Sequence, residues 1–185
     1  TLSPPVKKDL SNKGKIAQLL AVPFDLNEFA ADSSSSARML RFIKDYQPGF
    51  VLYFGEKIAS STARMAKDEL YRNFNSTDYF PLLAVDHEGG LVQRLNGDGF
   101  TVLEPWQKIV TVYSSAQQKA VFNQSARELA AAGVNLVFAP VVDLASQSAV
   151  LKTRAAADPE QVFAAASNFI LSFSQYGIMP VIKHF

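Results

Sequence analysis

The sequence contains no cysteine in its 185 residues. That excludes a disulfide framework, a thiolate metal site and a cysteine nucleophile. A thiol-free chain fits a reducing compartment, so the cytoplasm is favoured. The first residue is Thr1 rather than Met, which leaves an exported or cell-envelope destination open. Histidine is scarce as well, with His87 and His184 alone. The pair His87-Glu88 lacks the second histidine four residues on that a zincin helix uses, so no metal is expected. An excess of charge of one sign is also missing: 18 basic against 17 acidic residues leave a net charge of +1. No basic stripe marks a nucleic-acid surface. The mild cluster Lys7, Lys8, Lys13, Lys15 reads as a solvated helix start. No apolar run approaches the ~18 residues of a membrane span, and no signal-peptide core is visible. Two motifs are absent that would have pointed elsewhere. There is no G-x-G-x-x-G after the first strand, which argues against a dinucleotide cofactor, and no G-x-S-x-G nucleophile elbow.

What is present is a globular composition, 48% apolar and 19% charged. Five short apolar runs read as strands: QLLAVPF (18–24), GFVLYF (49–54), PLLAVD (81–86), NLVFAPVVD (135–143) and IMPVIKHF (178–185). They are nearly continuous, as expected of strands covered on both faces. Four segments between them carry helical spacing. SSSARMLRFIKDYQ has serines available as N-cap, and SSTARMAKDELYRNF offers Ser60 or Ser61. SAQQKAVFNQSARELAAAG closes on Gly133. DPEQVFAAASNFILSFSQYG opens with Asp158 as cap and Pro159 at the first helical position, and closes on Gly177. NGDG (96–99) reads as a turn. The recurring order of helix, glycine, strand and polar loop is a parallel βα array. An open doubly wound sheet and a (β/α)8 barrel both fit it.

In a barrel, chemistry gathers at the C-terminal ends of the strands. Here the third run ends in Asp86, the fourth in Asp143 and the fifth in Lys183-His184, with Arg154 in the loop after the fourth. Charges at three strand ends are costly as core packing. Asp86 either caps the following turn or binds. Arg94 is either a surface arginine or an ion-pair partner of Asp86 or Glu88. Asp143 holds the loop after the fourth strand. Arg154 is either solvated or anchors a ligand oxygen. Strand alternation turns at least one of Lys183 and His184 toward the mouth.

At these residues the chain resembles the N-terminal barrel domain of glycoside hydrolase family 3, and within it the bacterial β-N-acetylhexosaminidase branch. The matching pieces are QLLAVPF, PGFVLYFG, LLAVDHEGGLVQRL, GFTVLEPW, SARELAAAGVNLVFAPVVDL, TRAAADPEQV and IKHF. His87 stands where the family more often has Gln, Leu91 where Arg is frequent, and Ala155-Ala156 where a small residue and Phe are usual. The resemblance implies a TIM (β/α)8 barrel of which residues 1–185 are the N-terminal portion, about five strands and four helices of the eight of each in a barrel of ~250 residues. It implies retaining hydrolysis that releases terminal β-linked N-acetylglucosamine, as in carbohydrate metabolism and peptidoglycan recycling, without a cofactor. The substrate would be a small carbohydrate, a β-GlcNAc-terminated saccharide or muropeptide. By the same resemblance Asp86, Arg94, Arg154, Lys183 and His184 bind sugar in the −1 subsite, while the acid/base and nucleophile are expected after Phe185. Two alternatives remain at this point: a β-glucosidase or β-xylosidase of the same family, and a non-catalytic sugar-binding protein.

Overall fold

The computed structural model describes residues 11–74, 80–144 and 151–184. In chain order the elements are α1 (Asn12–Ala17), β1 (Ala21–Asp25), α2 (Leu26–Ala30), α3 (Ser34–Tyr46), β2 (Phe50–Phe54), α4 (Ser60–Arg72), β3 (Leu82–Val85), β4 (His87–Gly89) and β5 (Val92–Gln93). There follow α5 (Trp106–Val112), α6 (Ser115–Ala131), β6 (Leu136–Val137), a 3-10 turn (Lys152–Arg154), α7 (Pro159–Ser174) and β7 (Met179–Pro180).

The helices begin where side chains satisfy their first amides. Ser33 accepts from the Ser36 amide at 3.1 Å. Ser114 and Gln117 form a reciprocal capping box. Asp158 accepts from Glu160 and Gln161 amides at 2.9 and 3.2 Å, with Pro159 filling a position where no amide is needed. The α4 start departs from expectation: its N-cap is Ala59, and Ser60 instead donates its amide to the Asp98 carbonyl at 2.8 Å. The NGDG turn therefore supplies the cap from across the fold. The helix start read from the lysine cluster is α1, which carries Lys13 and Lys15, while Lys7 and Lys8 lie outside the described residues. Helices α2 and α5 had no visible sequence signal, because five and seven residues are too few to show a 3.6-residue period.

The five parallel strands lie in the order β1-β2-β3-β6-β7, which is chain order once the β4–β5 hairpin is set aside. A doubly wound sheet reverses its order at a switch point. A sequential order with a helix between neighbours is the winding of a (β/α)8 barrel. The fold is therefore α/β of the TIM-barrel type.

Register explains which side chains meet the helices. Val22, Val51 and Leu83 align across three strands, as do Phe24, Tyr53, Val85 and Val137. All are buried in one core with Ile43, Leu70, Phe122, Leu129, Phe169 and Phe173 of the helices. The opposite face differs from expectation. β1 alternates buried with exposed and β2 buried with half-buried, so these two strands are covered on one face only. Met179 on β7 is 55% exposed. Runs 135–143 and 178–185 were read as long strands, yet regular pairing is confined to two residues in each. Pro140 and Pro180 contribute no amide there. Pairing nevertheless continues: Val181 donates to Val137, Lys183 to Pro140 and Val142 to Lys183, at 2.8, 3.2 and 2.9 Å. That extension carries Lys183 to the C-terminal edge of the sheet beside β3.

Beneath the sheet, Trp106, Phe122, Phe169 and Phe173 form a continuous aromatic cluster, with Phe169 and Phe173 stacked at 4.0 Å between centroids. Phe169→Ala should lower unfolding free energy by about 3–5 kcal/mol, read as a fall in urea midpoint. Asp158→Ala should cost about 1 kcal/mol through the lost cap, and the comparison of the two measures packing against capping.

Candidate functional site

β3 delivers its last side chains alternately to two faces. Val85 enters the helix-facing core, so Asp86 emerges on the side of Ala84. The chain then continues through β4, turns at Gly89-Gly90, and returns antiparallel as β5. Glycine is required at this turn. Gly89 has φ +89°, and a Cβ there would lie 2.5 Å from the Glu104 carbonyl oxygen; at Gly90, with φ +58°, it would lie 2.9 Å from Pro105. The returning strand is tied back where Arg94 donates its amide to the Asp86 carbonyl at 3.2 Å.

Around Asp86 the structure assembles an alternating chain of charges. Lys183 Nζ donates to Asp86 Oδ1 at 2.9 Å and to Glu88 Oε1 at 2.6 Å. Arg154 embraces the same Glu88 with Nε to Oε2 at 2.7 Å and Nη2 to Oε1 at 2.8 Å. Arg154 Nη2 also lies 3.2 Å from His184 Nε2, and His184 Nδ1 lies 2.6 Å from Asp143 Oδ2. The guanidinium can only donate. His184 Nε2 must therefore accept and Nδ1 must carry the proton given to Asp143. The Glu88 side chain is 1% exposed, and a carboxylate this dry is tolerable only because both oxygens take charged donors. The hydrogen bond to Glu88 in turn raises the Arg154 pKa.

Four of the five expected binding residues, Asp86, Arg154, Lys183 and His184, are joined in this one chain of contacts. Arg94 is not. Among the described residues its guanidinium pairs with neither Asp86 nor Glu88; it lies over the Phe54 ring at 5.7 Å, and its Nε is buried without a partner. The hairpin directs it toward the end of β2, and Lys183 takes the place of cation for Asp86. Sequence reasoning left Glu88 out of the site, although its two-residue offset from Asp86 places both carboxylates on one side of an extended segment. Asp143, read as a holder of the loop after the fourth strand, contacts the backbone amide and ring of His184.

His87 projects the other way, into the helix layer. It is fully buried, its Nε2 lies 2.7 Å from Ser125 Oγ on α6, and its ring faces Phe173 of α7. Burial pushes its pKa down to about 3 from the ordinary 6.5. Among the described residues no group of three His, Cys, Asp or Glu is placed to hold a metal ion. No helix among them is long and apolar enough to cross a membrane. A separate open cleft of about 520 Å³ lies by Lys57, Asn96, Phe100 and Val102, and shares no residue with the charged chain.

Chemically, the mouth offers fixed donors from Lys183 and Arg154. Asp86 Oδ2 carries no hydrogen bond among the described residues. Closely spaced donors and acceptors of this kind complement a polyol, whose hydroxyls both give and take hydrogen bonds.

Comparison with known proteins gives consistent findings. The family profile described as "Glycosyl hydrolase family 3 N terminal domain" matches residues 12–185. The chain is 37% identical over 155 residues to a protein of Methylococcus capsulatus named beta-hexosaminidase, covering 81% of this chain and 45% of that protein. A protein of the same name from Xylella fastidiosa is 32% identical over 162 residues, covering 84% of this chain and 48% of its own. Among solved structures, a beta-N-acetylhexosaminidase from Beutenbergia cavernae superposes with a TM-score of 0.81 at 30% identity, covering 97% of this chain and 55% of that one. The chain spans between a third and a half of the length of the curated relatives it matches.

Two outcomes follow from the geometry. Glu88→Ala leaves Arg154 and Lys183 facing one another without their shared anion, and should cost about 3 kcal/mol of stability, measured by chemical denaturation. For His87, the unfolded chain accepts a proton near pH 6.5 while the folded imidazole refuses it until about pH 3. The unfolded state thus binds more protons in that window, and stability falls as pH falls, by at most about 1.4 kcal/mol per unit from this group. His87→Gln should remove that component from the pH dependence of the urea midpoint.

Proposed function

Because the chain belongs to the family of glycosyl hydrolase family 3 N-terminal domains, we propose that it forms the substrate-gripping side of the sugar subsite of a β-N-acetylhexosaminidase-type glycosidase. The observation that carries this reading is the convergence of Asp86, Lys183, Arg154 and His184 at one edge of the parallel sheet, where barrel enzymes place their chemistry. Asp86 accepts a sugar hydroxyl through its free Oδ2. Lys183 and Arg154 donate to neighbouring sugar oxygens while staying anchored on Glu88. His184 is held by Asp143 in the orientation that faces Arg154. The choice of a β-linked N-acetylglucosaminyl substrate is supported by the relatives named beta-hexosaminidase.

Retaining hydrolysis needs a nucleophile and an acid/base group on either side of the scissile bond. Glu88 is a poor candidate for either, since both of its oxygens are engaged and almost no surface reaches solvent. Asp86 already shares Lys183 and belongs to the same short segment. We therefore place the bond-breaking pair outside residues 1–185 in the working enzyme. The same reading leaves Arg94 over the Phe54 ring, outside the chain of contacts that grips the sugar.

NMR titration of the 185-residue chain with N-acetylglucosamine should shift the signals of Asp86, Lys183 and His184. Asp86→Ala should weaken binding by about 10- to 100-fold, the worth of one charged hydrogen bond. The chain should release no 4-nitrophenol from 4-nitrophenyl N-acetyl-β-glucosaminide. Absence of any sugar-dependent shift at these residues removes the binding assignment, and measurable turnover removes the assignment of the catalytic pair to another part of the protein.

A further inference from the structure

We propose that His87 is a positioning residue: its hydrogen bond to Ser125 ties the carboxylate-bearing strand β4 to helix α6 and so sets how Asp86 and Glu88 meet Lys183 and Arg154. Asp86, His87 and Glu88 are consecutive in an extended segment. Alternation turns the two acids one way and the imidazole the other. A strand of three residues closed by a glycine turn has little ladder of its own to fix its rotation. What holds it from behind is the imidazole, fully buried, with Nε2 2.7 Å from Ser125 Oγ and the ring against Phe173. Ser125 is itself 1% exposed and rides on the longest helix among the described residues, so the far end of the tie is rigid.

The alternative is that His87 simply fills space. Its other nitrogen speaks against that. Nδ1 is buried without a hydrogen-bond partner, a cost that an apolar side chain of similar size would avoid. Accepting that cost is understandable if the directional bond at Nε2 is what the site needs, since an apolar contact constrains distance but not rotation. Burial keeps the ring neutral in the ordinary pH range. The tie therefore adds no charge behind the carboxylates and leaves their ion pairs in front undisturbed. The consequence reaches His184: rotating Glu88 moves Arg154, whose Nη2 is the group that His184 Nε2 faces.

The chain has two histidines, so imidazole nitrogen NMR reads each one separately without sugar or turnover, and the outcome is independent of the glycosidase reading. In the wild-type chain His184 should show a protonated Nδ1 and an accepting Nε2. Ser125→Ala and His87→Leu, each checked for folding by circular dichroism, should draw the two His184 nitrogen signals toward each other as the Arg154 contact loosens. His87→Gln, whose amide can still reach Ser125, should restore the wild-type pattern. If Ser125→Ala lowers stability while the His184 signals stay at their wild-type positions, His87 is a packing residue and the proposal fails. Should His87→Leu not fold, Ser125→Ala, which removes one oxygen, decides the matter alone.

Discussion

The site is built on one buried carboxylate. Glu88 lies almost wholly out of water, and an isolated anion in that position would be far too costly to keep ionised. Its neutralisation draws Arg154 from the loop after β6 to both oxygens and Lys183 from the segment after β7 to Oε1. Once those cations are in place, Asp86 acquires its partner through Lys183, and His184 acquires its neighbour through Arg154. The geometry of the mouth is a consequence of satisfying Glu88, and in the proposed function the groups left with unused hydrogen-bonding capacity are those that meet a sugar.

The parallel sheet makes this convergence possible. Sequential strands bring the ends of β3, β6 and β7 side by side, so residues far apart in the chain arrive at one edge. The hydrogen bonds that prolong the β6–β7 pairing past Pro140 and Pro180 extend the strand edge to Lys183. Behind the sheet, the aromatic cluster of α5, α6 and α7 supplies the rigid base against which His87 rests. Under the proposed function such rigidity favours binding, because the entropy of ordering donors and acceptors has then been spent in folding rather than in binding.

Much of the architecture was legible in the sequence. The strand runs, the four longer helices, the Asp158-Pro159 start and the glycine stops are local signals, set by propensity, capping and backbone freedom. Asp86, Asp143, Lys183 and His184 stood out because charges at apolar strand ends need a reason, and Arg154 as a lone arginine in the loop after the fourth run. Glu88 did not, since a glutamate beside two glycines looks like part of a turn until its burial is known. Arg94 was left open between a surface arginine and a partner of Asp86 or Glu88, and the hairpin turns it instead toward the Phe54 ring. Helices α2 and α5 and the one-sided covering of β1 and β2 were equally hidden, the first for want of length and the second because burial is a property of neighbours.

The sequence by itself determined the βα rhythm and the tight Gly89-Gly90 turn, since these follow from backbone sterics over a few residues. Only the tertiary structure decided which cation meets which acid. Glu88 and Arg154 are 66 residues apart and Asp86 and Lys183 are 97. Such pairs are selected by the order of strands in the sheet and by the cost of leaving a buried charge alone, and neither is written in any local pattern.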